Sequence, residues 1–172
     1  MAKEIEVKIL EIDPKKVRDT IKSKGAKLVM PKNKQINLFY AYKDSQKAGT
    51  IRLRKNILGY TLTFKSKLKF NKGHKIMDEF ETKIEDFDTV KKGLECLKFK
   101  LVGGTEAIRE DWKLYNCLVS IVRLPKIPTY VEIEGTKKNI LRVAKMLGYT
   151  EKDYYPTMIY KKYGIKTKFL KF

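Results

Sequence analysis

Glu4-Ile5-Glu6-Val7-Lys8 alternates charged and apolar side chains, and the same alternation returns in five further segments spread across the chain. Successive side chains of a strand point to opposite faces, so Glu4, Glu6 and Lys8 share one face while Ile5, Val7 and Ile9 share the other. Thr50-Ile51-Arg52-Leu53-Arg54 places two guanidinium groups on one face, and Tyr60 to Lys65 sets Thr61, Thr63 and Lys65 opposite Leu62 and Phe64. Asp78 to Lys83 pairs Glu79 with Glu81, Ala107-Ile108-Arg109 offers a single Arg, and Tyr130 to Glu134 pairs Glu132 with Glu134. One such segment describes any half-exposed strand. Six of them, with carboxylate pairs and Arg/Lys pairs segregated by strand, suit a concave surface that holds metal ions on one wall and phosphates on another. A closed or nearly closed antiparallel barrel with a charged lumen brings those walls together and leaves the apolar faces for helices to cover.

The remaining pattern supplies an α+β scaffold rather than a doubly wound parallel sheet. Asp13-Pro14 reads as an N-cap followed by Pro at the first helical position, with Val17 and Ile21 facing inward and Gly25 as the stop. Strands are predicted near 35–42, 50–55, 59–68 and 75–85, then a helix capped by Asp86 through Val90, Leu94 and Leu97. A hairpin near 106–124 follows Gly103-Gly104; Thr136 opens a helix carrying Ile140, Val143, Ala144 and Leu147, stopped by Gly148. A last helical segment around Thr157 to Tyr163 leads into a basic tail, 164–172.

The 172 residues make one domain by length, 1–172, without a linker, repeat or low-complexity tract. No secretory leader opens the chain at Lys3-Glu4, and no apolar run approaches the roughly 18 residues of a membrane span, so a soluble, cytoplasmic protein is expected. Cys96 and Cys117 lack CxxC spacing and read as reduced core residues. A net charge of +19, from 39 basic and 20 acidic residues, favours polyanionic partners without selecting among them. The run Lys65, Lys67, Lys69, Lys72, Lys75 is dense enough to form an electropositive mouth.

Taken in order, ExExK (Glu4, Glu6, Lys8), RLR (Arg52, Arg54), TFK (Lys65), ExE (Glu79, Glu81), Arg109 and VEIEG (Glu132, Glu134) resemble the CYTH superfamily over about residues 2–163. That group contains class IV adenylyl cyclases, thiamine triphosphatases and tripolyphosphatases, also called triphosphate tunnel metalloenzymes. The resemblance implies a triphosphate substrate, with Lys8, Arg52, Arg54, Lys65, Lys75 and Arg109 on its phosphates. It implies Mg²⁺ or Mn²⁺ held among Glu4, Glu6, Glu132 and Glu134, and places Glu4, Glu6, Lys8 and Glu134 in the catalytic set. Mg²⁺ takes one or two carboxylates, so the others should anchor Arg and Lys side chains, a role Glu79 and Glu81 fit equally well. His74, where the chain enters the ExE strand, is a further residue placed to touch substrate.

Three positions depart from the family pattern. Val122 stands where many relatives carry a metal-binding Asp, Ala107 replaces a frequent basic residue, and Asp78 replaces another. The first departure implies weaker or single-metal binding. Two other classes therefore stay open: a non-catalytic nucleotide or polyphosphate binder, and a protein acting on RNA 5′-triphosphate ends. The second is disfavoured, since basic and aromatic residues interleave only in the tail. A homodimer is compatible with the sequence, and cyclase and triphosphatase chemistry share the same lumen.

Overall fold

The computed structural model describes residues 3–42, 49–66, 69–71, 74–155, 159–165 and 169–172, with the side chains of all of these except 3, 4, 69 and 70. The elements run β1 Lys3–Ile9, α1 Pro14–Ser23, β2 Lys27–Tyr42, β3 Gly49–Asn56, β4 Gly59–Ser66, β5 Lys69–Asn71, β6 His74–Ile84 and α2 Phe87–Cys96. They continue with β7 Phe99–Leu114, β8 Cys117–Arg123, β9 Tyr130–Glu134, α3 Lys137–Met146, a 3₁₀ turn Glu151–Asp153, α4 Ile159–Lys162 and β10 Phe169–Leu170. The expectations on Lys67, Lys72, Thr157 and the start of the tail at 166–168 lie outside the described residues, as do those on the side chains of Glu4 and Lys69.

Eight antiparallel strands are hydrogen bonded in the order β1, β9, β8, β7, β2, β3, β4, β6, and β6 returns to β1, which closes the barrel. In β1 the register sets Glu6 opposite both Glu134 of β9 and Lys75 of β6, and Lys8 opposite Glu132. Closure therefore turns one face of the alternation into a lumen and the other into an outer surface that must be covered.

The helices cover it. Val17 and Ile21 of α1 and Ile140, Val143 and Ala144 of α3 pack on Val7, Ile9, Val119, Val131 and Ile133, all buried. Asp13 and Asp86 accept backbone N–H groups at the starts of α1 and α2, satisfying donors that the first turn leaves free. Gly25 and Gly148 follow the ends of α1 and α3 at φ +82° and +85°, conformations that side chains with a Cβ resist. Ile140 is fully buried under α3. Ile140→Ala is expected to lower stability by about 2–5 kcal/mol in urea denaturation.

Three expectations are corrected. The second strand begins at Lys27 rather than near 35, because its first half pairs with β7 through register shifts that let it bend along the barrel. Strand β7 begins at Phe99 and runs through Gly103-Gly104, which sit inside the ladder opposite Phe39 and Leu38 instead of ahead of a hairpin. A Cβ on Gly104 would meet Phe169 and Leu38 at 3.3 and 3.4 Å, so the glycine admits β10, which pairs parallel with β7 at Gly104 and Thr105. Cys117 is buried as expected, but Cys96 is exposed, two residues past Leu94 and so off the inward stripe of α2.

Candidate active site in the barrel lumen

Charged side chains from six of the eight strands converge in the lumen as two networks. On the first, Lys8 bridges Glu6 and Glu132, the latter at 3.3 Å, while Lys75 reaches Glu6 at 2.8 Å. Arg109 extends it: Nε donates to Asp111 at 2.7 Å, one terminal nitrogen to Glu132 at 2.8 Å and the other to Ser120 at 2.6 Å. On the second, one terminal nitrogen of Arg52 reaches Glu79 at 2.8 Å, Glu81 at 2.9 Å and Thr63 at 3.1 Å, and Lys65 contacts Glu79. Burial opposes the charge on Lys8 and Arg109, yet Glu6 and Glu132, and Glu132 and Asp111, hold both firmly protonated.

Two groups break this pattern of compensation. Arg54 donates from Nε to Asn37 Oδ1 at 3.0 Å and, among the described residues, has no ion pair. Burial and then the repulsion of Arg52 and Arg109 lower its pKa to about 9. Glu134 is its opposite. Among the described residues its carboxylate has neither ion pair nor hydrogen bond, and burial followed by the proximity of Glu6 raises its pKa. One wall thus carries an uncompensated cation and another an uncompensated anion. A charge held partly away from water without a partner is costly, and both side chains are half-buried.

Among the described residues no three ligating side chains already stand in metal-binding geometry. The chemistry of the donor set nevertheless fits a hard cation. Glu6, Glu132 and Glu134 lie on adjacent β1 and β9 at matched register, supply oxygen donors only, and leave the Glu134 carboxylate without a counter-ion. The backbone places Glu4 further along β1, opposite Met77.

Other expected residues fall elsewhere. His74 is buried with its ring edge-on to Tyr154, centroids 5.6 Å apart, on the opposite face of β6 from Lys75, so the reading of it as a substrate contact is corrected. Val122 and Ala107 are each 2 % exposed and pack with Leu124, Ile127, Tyr130 and Ile159 of α4. A carboxylate at position 122 would be buried in that apolar cluster, which is the physical reason Val suits it. Beside the cluster, Tyr160 hydrogen bonds Thr105, and burial followed by the charge of Glu132 pushes its hydroxyl up to about 12.

Asp111, Ser120, Asn37 and Tyr160 are lumen residues that reading for charge pairs overlooked, and Thr63, placed on the face of Lys65, has no role assigned by it. The alternation carries the first: Asp111 is two residues beyond Arg109 on the same strand. Asn37 and Thr63 are neutral, and only the cross-strand pairing with Arg54 and Glu81 shows what they do. The outer groove lined by Tyr42, Phe64, Phe80 and Phe99 gathers no comparable chemistry.

A closed eight-stranded antiparallel barrel with a charged interior and external helices defines the class. The CYTH domain model matches residues 2–161, and the chain belongs to the CYTH domain family. A protein of Methanocaldococcus jannaschii named "Putative adenylate cyclase MJ0240" is 27% identical over 148 residues, covering 84% of this chain and 83% of that one. The PH1012 protein of Pyrococcus horikoshii superposes with a TM-score of 0.76 at 24% identity, covering 92% of this chain and 98% of its own. HpAC1 of Hippeastrum, whose structure is described as revealing a dominant triphosphatase activity, gives 0.65 at 17% identity and 95% of both chains.

Proposed function

We propose that this protein is a metal-dependent enzyme that binds a triphosphate in the barrel lumen and cleaves one of its phosphoanhydride bonds. The observation that carries the reading is the pair of uncompensated charges, Arg54 and Glu134, inside one lumen. A triphosphate answers the cation, and Mg²⁺ or Mn²⁺ answers the anion. Family membership and the names of the relatives support the same class of substrate.

Within this reading, Arg52, Arg54 and Arg109 offer guanidinium forks to phosphoryl oxygens while Lys8, Lys65 and Lys75 act as point charges. Their present carboxylate partners, Glu6, Glu79 and Glu132, hold the cations in place before substrate arrives, so little reorganisation is needed on binding. Glu134, with Glu6, Glu132 and Glu4, would hold the metal. When bound it supplies further neutralisation of phosphate charge and orients the reacting oxygens. Two free thiols and a triphosphate substrate would both suit the cytoplasm, the location this reading expects. No helix among the described residues is long and apolar enough to cross a membrane.

Attack by a ribose hydroxyl on the α-phosphate and attack by water on a terminal phosphoryl differ in which phosphorus is held in line. Phosphorus NMR of products from ATP, thiamine triphosphate and tripolyphosphate, each with Mg²⁺ and Mn²⁺, separates them. Cyclic AMP with pyrophosphate identifies a cyclase and orthophosphate a phosphohydrolase, the outcome that HpAC1, as its structure is described, favours. Tight binding without turnover of any of the three would overturn the enzymatic reading and leave a triphosphate-binding protein, the alternative that apolar Val122 favours.

A further inference from the structure

Gln35 is 3 % exposed, and its side-chain oxygen is buried with no hydrogen-bond partner among the described residues. It is not alone. The Thr61 hydroxyl, the Asn33 side-chain oxygen and Arg52 Nε are also buried and unpartnered, and all four lie on the consecutive strands β2, β3 and β4. Native interiors leave few polar atoms in this state, so four on one arc of the barrel call for an explanation.

The arc surrounds Arg54. Thr61 is its direct cross-strand neighbour on β4, and Asn37, which accepts from Arg54 Nε, is its neighbour on β2. Gln35 shares the inward face of β2 with Asn37 and stands opposite Ala107 of β7, one step along that face from Arg109. With Nε engaged by Asn37, the two terminal nitrogens of Arg54 make no hydrogen bond among the described residues. No carboxylate lies on the inward face of β2 or β3.

We infer that Gln35 and Thr61 complete an oxyanion subsite around Arg54, one that grips a single phosphoryl group through neutral donors and a guanidinium without a metal ion. This rests on the triphosphate reading above and deepens it: the lumen divides into a carboxylate-rich side on β1 and β9 and a metal-free side on β2, β3 and β4. Turned about its last bond, the Gln35 carboxamide presents N–H where its oxygen now lies, and the Thr61 hydroxyl is a donor, so both can donate to phosphoryl oxygens. The neutral donors make the subsite selective for shape and acceptor number rather than for charge alone, since a carboxylate anion presents fewer oxygens than a phosphoryl group.

The test is calorimetric titration of tripolyphosphate in the presence of EDTA, together with thermal unfolding of the free proteins. Gln35→Leu and Thr61→Val are each expected to weaken binding about tenfold, the loss of roughly one hydrogen bond to a charged group. Both variants are expected to unfold at the same or a higher temperature than the wild type, because each removes a buried polar atom that has no partner. Gln35→Glu should reduce affinity far more than Gln35→Leu, and orthophosphate should compete with tripolyphosphate on the wild type only. If the wild type binds but Gln35→Leu and Thr61→Val bind equally well, or if they unfold earlier with affinity unchanged, the subsite is wrong and the residues are structural. If wild-type binding appears only with Mg²⁺, the claim of a metal-free subsite falls while the triphosphate reading stands. Absence of binding by the wild type under every metal condition overturns both.

Discussion

Arg54→Met is expected to abolish measurable triphosphate binding while making the free protein more stable. The affinity loss follows from truncating a buried charged group that has only an amide for a partner in the free state, a change that costs about 2–5 kcal/mol in comparable sites. The gain in stability follows from the same fact. Burial and the repulsion of Arg52 and Arg109 depress the Arg54 pKa to about 9, so the folded state resists carrying this charge. A base with a lowered folded pKa weakens the fold fully below about pH 9, and the penalty fades as pH rises above 9. The variant should therefore exceed the wild type in melting temperature at neutral pH, with the difference narrowing above pH 9. Met keeps most of the aliphatic stem, which limits the cavity that Ala would leave. A loss of both affinity and stability would show Arg54 to be part of the scaffold. Retained affinity would remove the phosphate role from the centre of the lumen.

Glu134→Gln carries the second large effect, in the opposite electrostatic sense. Turnover dependent on Mg²⁺ or Mn²⁺ is expected to vanish, while the metal-free protein becomes more stable at neutral pH. Burial and Glu6 raise the Glu134 pKa above its ordinary 4.5. An acid with a raised folded pKa costs nothing below 4.5, and its penalty grows as pH rises through the interval up to the raised value and is complete above it. The two proteins should thus unfold alike below pH 4.5 and diverge above it. Adding Mg²⁺ or Mn²⁺ should stabilise the wild type in proportion to the logarithm of concentration, with little effect on Glu134→Gln. Near-normal metal-dependent activity in the variant would show that Glu6 and Glu132 hold the ion without it.

These opposed effects share one origin. Under the proposed function, Arg54 and Glu134 are kept for ligands of opposite charge, and function is held at the expense of stability. The remaining cations are different in kind. Lys8, Lys65, Lys75, Arg52 and Arg109 each contact a carboxylate already, so substitution there removes a buried ion pair as well as a phosphate contact. Loss of folding and loss of binding would be entangled at those positions, which makes Arg54 and Glu134 the more informative pair.

The barrel and the lumen face were legible in the sequence because a strand's period of two assigns every second residue to one side. Glu6, Lys8, Arg52, Arg54, Lys65, Glu79, Arg109, Glu132 and Glu134 could be placed together without coordinates for that reason alone. The capped starts of α1 and α2 were legible too, since Asp13 and Asp86 act on backbone groups two and three residues away. Local periodicity and local capping are properties of the chain itself.

Closure of the barrel decided the rest. The alternation in β1 sets Lys8 beside Glu6 but says nothing about what meets Glu6 from another strand; it meets Lys75 because β6 returns to β1. Glu134 carries the same motif as Glu132, yet among the described residues Glu132 is paired and Glu134 is not, since Arg109 and Lys8 reach Glu132 across β8 and β1. That Val122, which stands where many relatives carry an Asp, packs against Ile159 of α4 is seen only in the tertiary structure. Gln35 and Thr61 carry no charge and no motif, and their importance rests on atoms left without partners. Which side chains share a face is set by neighbours in sequence, whereas which charges remain unpaired depends on distances between residues far apart in the chain, and only the tertiary structure supplies those.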